Sequence, residues 1–348
     1  MADYRSSLNK TQIEKLRNII NTLPEFCYEF FRGVEPNTSV LTRTAYAYDL
    51  RLFFKFLSER VAYFKNMPAE DIALKDMERI TSTHIEMFAE YLSYYADDEQ
   101  EYENHDRGKK RKLSSIRSFL NYFYKKGKLP SNVAALVDLP KIHDKPIIRL
   151  EADEAARLID VAESGEDLSD KQKKYHRLTA RRDKALITLF LGTGIRVSEL
   201  VGISLDDVDF SANSLRVTRK GGNQTILYFG EETRAALLEY IEERRDIVAL
   251  EGHENALFLS LQKRRISVRA VQDLVKKYAS HAAPLKNISP HKLRSTYGTM
   301  LYREVGDIYL VADVLDHKDV NTTRRHYAAI SEDSRKRAAN AFKIRDDD

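Results

Sequence analysis

The sequence predicts a mainly α-helical protein with a small antiparallel β-sheet in its C-terminal domain. Three observations lead there. The first half is a run of segments with apolar residues at helical spacing. A stretch with two prolines, "LPKIHDKPIIRLEADE" (139–154), then changes the character of the chain. Beyond it the pattern is helical again, broken by one pair of short β-rich runs around Lys220-Gly221-Gly222-Asn223. A length of 348 residues suggests two domains, and a hydrophobic share of 43% is enough for real cores.

Taken in order, "TQIEKLRNIINTLPEFCYEFF" has helical apolar spacing interrupted by Pro24. "VLTRTAYAYDLRLFFKFLSERV" is a second helix, with Asn37, Thr38 or Ser39 available to cap it. "STHIEMFAEYLSYYA" is a third, in which Thr83 and Glu86 have capping-box spacing. In "RKLSSIRSFLNYFYKKGK" the stripe is Leu113, Ile116, Leu120 and Phe123. Lys112, Ser115 and Tyr122 fall off it, and Gly127 and Pro130 end the helix. A new helix is expected from about Glu151. "ARRDKALITLFLGTGIRVSELVGI" reads as helix on both sides of a break at Gly192–Gly194. No internal repeat or low-complexity block is present.

Charged residues make up 32% of the chain, yet the net charge is only +4. The distribution says more than the sum. Between Arg107 and Lys128 there are nine Lys or Arg and no acid, the footprint expected of a surface that meets a polyanion. A solvated loop is the plainer reading of the "RGKKRK" run within it. Cys27 is the only cysteine, which excludes an internal disulfide and a cysteine-built metal cluster. The N-terminal stretch lacks an apolar signal core, and "ALITLFLGTGI" is far short of the roughly 20 residues that span a bilayer. A soluble, cytoplasmic protein is expected.

Four pieces of the second half carry chemistry. "GIRVSEL" sets Arg196 and Glu199 three apart. "RKGGN" puts Lys220 at the lip of a hairpin turn. "HKLRSTYGT" sets His291 and Arg294 three apart, and "DHKDVNTTRRHY" joins His317 to Tyr327. Singly, each has a plain reading: a salt bridge to Glu199, an exposed turn lysine, a helix cap, a core tyrosine. In this order, the set Arg, Lys, His-x-x-Arg, His, Tyr resembles the tyrosine recombinase and phage integrase family, with a Xer-like architecture. The likeness extends to "RKLSSIRSFLNYFYKKG" with "LPSNVAALVDLPK", which looks like the last helix of that family's core DNA-binding domain and its exit into the linker.

The resemblance implies a two-domain clamp on double-stranded DNA. Residues 1–31 form an N-terminal helical extension, 32–142 the core DNA-binding domain, 143–150 the linker, and 151–348 the catalytic domain with a docking segment around Ala338, Ala339 and Phe342. It implies Tyr327 as nucleophile, Lys220 as general acid and Arg196 with Arg294 as the phosphate clamp. His291 assists proton movement, His317 bonds the phosphate and Glu199 orients its neighbours. No metal or cofactor is required, because fixed cations replace the usual Mg²⁺. Tyr302 and Tyr309 precede His317, an order the family does not use. Where the family usually has Leu-Gly-His, this chain has Leu315-Asp316-His317, and ten positions, not the common nine, separate His317 from Tyr327.

Arginine suits this chemistry because its planar fork and permanent charge match phosphate oxygens. A phenol of pKa near 10 needs nearby cations to attack at pH 7. DNA contacts are expected from Lys112, Ser115 and Arg117 in the first domain, and from Lys263, Arg264, Arg265 and Arg269 of "QKRRISVR" in the second. Strand exchange implies a monomer when free and a tetramer on paired sites, with a Xer-type resolvase or a mobile-element integrase as the biological setting. The competing classes are a non-catalytic DNA-binding protein on the same scaffold and a type IB topoisomerase.

Overall fold

Pro24 separates the first two helices, α1 (Tyr4–Ile20) and α2 (Cys27–Val34), and the Cys27 N–H bonds back to the Pro24 carbonyl at 2.9 Å. The computed structural model describes residues 4–97, 100–142, 147–219, 222–316 and 320. The chain divides into two units, Met1–Lys145 and Pro146–Asp348.

In the first unit α3 (Val40–Arg60) is capped by Ser39, the last of the three candidates, whose hydroxyl accepts the Thr42 N–H at 3.2 Å. Helix α4 (Ser82–Tyr91) starts earlier than its Thr83–Glu86 spacing suggested. Thr81 is extended (φ −109°, ψ 167°) and accepts the His84 N–H, while His84 Nδ1 accepts the Thr81 N–H at 3.2 Å. Imidazole here does the work expected of a glutamate. A hairpin that the sequence did not announce follows, β1 (Tyr94–Asp97) against β2 (Gln100–Glu103), with Tyr95 opposite Tyr102. The rings of Tyr91, Tyr95 and Tyr102 stack in series at 5.5 and 5.2 Å. Helix α5 (Asp106–Lys125) buries the expected stripe of Leu113, Ile116, Leu120 and Phe123, and Gly127 follows it with φ +68°.

The core of this unit is aromatic. Phe30, Phe53, Phe54, Phe119 and Phe123 are fully buried, and Phe30 meets Phe119 edge to face at 5.2 Å. Burial of such a side chain stabilises by about 1.5–3 kcal/mol. Leu16, Ile19, Ile20, Phe30 and Phe31 lie in the same core, so residues expected as an extension share it with those of 32–142.

The second unit opens with α6 (Ala152–Ser164), whose cap Glu151 gives its N–H to Glu154 Oε2 at 2.7 Å. Leu150, at the end of the expected linker, is buried in this unit's core and donates its N–H to Thr296 Oγ1 at 2.9 Å. Then come α7 (Asp170–His176), α8 (Ala180–Thr193) and the single turn α9 (Val197–Leu200). The break falls at Gly194 alone, since Gly192 is still in α8. A three-stranded antiparallel sheet follows in the order β3 (Val208–Asp209), β4 (Ser214–Thr218), β5 (Gln224–Tyr228), with Leu215 opposite Leu227. β4 and β5 are the expected hairpin; β3 was not expected. The rest is helical: α10 (Glu231–Arg245), α11 (Val268–Ala282), α12 (Pro290–Val305) and α13 (Ile308–Val314). Helix α8 runs through the core, with Ala185, Leu186, Ile187, Leu189 and Phe190 all buried. Among the described residues no helix is long and apolar enough to cross a membrane.

Candidate active site

Gly194 makes the site possible. It takes φ +62°, and a Cβ there would lie 2.4 Å from Tyr297 Cδ1 and 3.0 Å from Leu315 Cδ2. Only glycine fits both the conformation and the space. The turn it creates ends α8 and delivers Arg196 as the N-cap of α9, in extended conformation (φ −75°, ψ 144°). Arg196 and Glu199 are therefore not two positions on one helix face, as their spacing suggested. Glu199 Oε2 accepts the Arg196 backbone N–H at 3.0 Å, and its Oε1 accepts from Arg196 Nη1 at 2.9 Å. Glu199 is 3% exposed, so the guanidinium is held from the inner side by a buried carboxylate.

From the other direction, α12 begins at Pro290 and carries His291 and Arg294 one turn apart. Arg294 is buried, donating Nη1 to the Gly194 carbonyl at 2.6 Å and Nη2 to the Leu315 carbonyl. Arg196 Nη2 donates to that same Leu315 oxygen at 3.3 Å and to the Asp316 oxygen at 3.0 Å. Two guanidinium groups from separate segments thus converge on one main-chain atom. Arg294 does more structural tying than a free clamp would, because two of its donors go to the backbone.

The electrostatics follow. Partial burial lowers the Arg196 pKa, but the hydrogen bonds it donates to Glu199 and Asp316 outweigh it and raise the net value. His291 keeps an exposed edge, yet its imidazole is held below the ordinary value of 6.5. Withdrawal from water is the main cause, and Arg294, Arg196 and Lys292 add to it. A histidine that is neutral at pH 7 has a ring nitrogen available to accept a proton, although the two arginines disfavour its charged form. Lys220, His317 and Tyr327 lie outside the described residues, as do Ala338, Ala339 and Phe342 of the expected docking segment. The residues that precede the first two, Arg219 and Asp316, are described, and Arg219 Nε lies 3.8 Å from Asp316 Oδ2.

The profile of the phage integrase family matches residues 149–333. The chain belongs to that family. Among curated relatives it is 36% identical to the tyrosine recombinase XerC of Caldanaerobacter subterraneus subsp. tengcongensis, over 87% of this chain and 81% of that protein. It is 31% identical to the tyrosine recombinase XerD of Corynebacterium glutamicum, over 76% of this chain and 83% of that protein. It is a Xer-like tyrosine recombinase. Similar folds occur in the XerH site-specific recombinase bound to a palindromic difH substrate, with TM-score 0.66 and 18% identity over 95% of this chain and 88% of that one. They occur also in a lambda integrase(75-356) dimer bound to a COC′ core site, with TM-score 0.59 and 17% identity over 85% and 94%.

The recombinase places the other expected contacts unevenly. Ser115 is 1% exposed and donates to the buried Asp49 at 2.6 Å, so it faces the core and not a ligand. Arg117 donates Nε to the Ala134 carbonyl at 2.8 Å and Nη2 to that of Val137, bracing the turn after α5. Arg265 is similarly engaged by the carbonyls of Val201 and Ile203 at 3.1 and 2.6 Å. In all three, hydrogen-bond partners distant in sequence hold a side chain that the sequence presented as a surface donor. Arg269 is exposed and pairs with Asp273 at 3.0 Å. Lys263 and Arg264 are exposed. Lys112 is half-buried; its pKa is lowered by burial and by Arg111, and its Nζ donates to Asn104 at 2.9 Å. With Tyr48, Arg51, Lys55, Tyr95 and Arg111 it lines a cavity of about 500 Å³. Sequence reasoning missed that group because the tyrosines come from α3 and the hairpin; the three tyrosines of "SYYADDEQEYE" were the available signal.

Proposed function

We propose that the recombinase cuts and rejoins duplex DNA through a 3′-phosphotyrosine formed by Tyr327. The phenolic oxygen attacks phosphorus, the bond to the deoxyribose 5′ oxygen breaks, and Lys220 protonates that leaving oxygen. His291, neutral at pH 7, receives the phenolic proton. Arg196 and Arg294 stabilise charge on the non-bridging oxygens, the preorganised electrostatics that dominate such reactions, and His317 adds a hydrogen bond. The phosphodiester energy is retained in the tyrosyl ester, so a free 5′-hydroxyl can attack it and reseal.

The observation that carries this reading is the meeting of Arg196 and Arg294 at the Leu315 oxygen, with His291 in their field. The DNA complexes of XerH and lambda integrase support duplex DNA as the partner. For the first unit we assign backbone contact to Arg51, Lys55 and Lys112 around the tyrosine-lined cavity. In the second, Lys263 and Arg264 take that role, with Arg269 once released from Asp273. The XerC and XerD relatives favour a Xer-type resolvase over a mobile-element integrase.

A duplex nicked near the cleavage point traps the intermediate. Wild-type protein should give a covalent adduct on a denaturing gel, and Tyr327→Phe should give none. An adduct that persists in Tyr327→Phe would remove the mechanism. Relaxation of a plasmid lacking a specific site would point to topoisomerase action. Light scattering should read a monomer in free protein and a tetramer on paired sites; a single protomer per duplex under all conditions overturns the assembly.

A further inference from the structure

The mechanism leaves two charged side chains at the cluster without a role, Arg219 and Asp316. Asp316 stands where the family usually has glycine. Its φ is +49°, the left-handed region that glycine favours and aspartate tolerates better than most residues. The turn is kept and a carboxylate is added to it. That carboxylate is aimed inward: Oδ2 accepts from Arg196 Nη1 at 2.9 Å and lies 3.8 Å from Arg219 Nε.

The two neighbours of Arg196 differ in access. The Glu199 side chain is 3% exposed and the Asp316 side chain 44% exposed. An incoming anion therefore reaches Arg196 from the Asp316 side. Arg219 is 8% exposed, and its Nη1 is 3.6 Å from Glu199 Oε1, too long for a hydrogen bond. Among the described residues neither Nε nor Nη1 of Arg219 has a hydrogen-bond acceptor. Buried donors left in that state favour any acceptor that comes within reach.

We infer that Asp316 is an internal stand-in for phosphate, holding Arg196 in the DNA-free protein and passing to Arg219 when DNA phosphate takes its place. The inference rests on the phosphoryl-transfer reading above. A carboxylate displaced from Arg196 with no cation to receive it would repel the phosphate that displaced it. Arg219 removes that repulsion, and the transfer needs a side-chain rotation, not a change of backbone. Ion pairs are conserved: Arg196 exchanges carboxylate for phosphate, and Arg219 gains a hydrogen-bonded acceptor. Both residues act through Arg196 and are positioning residues.

The test uses full-length protein with Asp316→Asn, Arg219→Ala and the double variant. Asparagine keeps the left-handed turn and removes the charge. Two readouts are taken: thermal stabilisation by inorganic sulfate, and adduct formation on the nicked duplex at limiting DNA. Asp316→Asn should bind sulfate and form adduct about two- to fivefold more effectively, the scale of a partly exposed ion pair. Arg219→Ala alone should weaken both, and adding it to Asp316→Asn should have no further effect. Equal loss from Arg219→Ala in both backgrounds would make Arg219 merely structural and overturn the exchange. So would sulfate binding and adduct formation unchanged or reduced in Asp316→Asn, a result that decides the matter even if Arg219→Ala does not fold. If the sulfate pattern holds but no variant forms adduct, the exchange stands and the recombination chemistry is what fails.

Discussion

Each unit of the recombinase contains an arginine fork bound to an aspartate, and the two pairs are built for different ends. In the first unit Arg111 grips Asp49 with both Nη atoms, at 2.5 and 2.8 Å, and Ser115 adds a third bond at 2.6 Å. The Asp49 side chain is 1% exposed and is fixed inside the core, although Arg111 itself is half exposed. In the second unit Arg196 also holds an aspartate at 2.9 Å, but Asp316 is open to solvent. The same chemistry gives a permanent tie when the acid is buried and a replaceable one when it is not. Burial of the acceptor, not the length of the bond, separates architecture from a binding site.

Arg196→Lys should break this comparison most visibly. Lysine has one head in place of a fork and cannot serve Glu199, Leu315 and Asp316 together. Adduct formation should fall about 10²–10³-fold, with little change in the urea midpoint. Asp49→Ala should do the reverse. It removes the shorter bond of the buried Ser115 hydroxyl, leaving the 3.2 Å one to the Arg111 carbonyl, while Arg111, half exposed, turns to water. Unfolding in urea should show roughly 1–3 kcal/mol lost, and the folded fraction should keep its cleavage rate.

The smallest effect sharpens the picture at His291. Its folded pKa lies below the unfolded value of about 6.5. The unfolded chain therefore binds the proton more readily. The stability His291 confers is fully present above pH 6.5 and is lost as pH falls through the folded value. His291→Gln should flatten that acid limb of the thermal-melting profile. An unchanged profile would show that neither burial nor the arginines hold the imidazole below its ordinary value.

Much of this was legible before any coordinates. Apolar spacing located most of the helices, because a stripe such as Leu113, Ile116, Leu120 and Phe123 has to be buried. The arginine, histidine and glutamate of the site came from motif order. What stayed hidden was set by distance in sequence. Ser115 looked free because its acceptor, Asp49, is 66 residues earlier. Arg117 and Arg265 looked like surface cations because main-chain carbonyls carry no sequence signature. Arg219 was overshadowed by Lys220, though a signal existed. Leu215 and Val217 face the core, and Arg219 continues that inward parity, where a cation is out of place unless an anion awaits it.

The shared oxygen of Leu315 has a consequence for how this catalytic centre can drift over generations. A coupling between two side chains is lost when either codon changes. Here the hub is an amide carbonyl, which every residue type supplies, so no replacement at 315 deletes the acceptor itself. Mutation can reach the junction only from its donors or by distorting the turn that aims it, which leaves the leucine side chain free to answer to packing against Tyr297 and Val311.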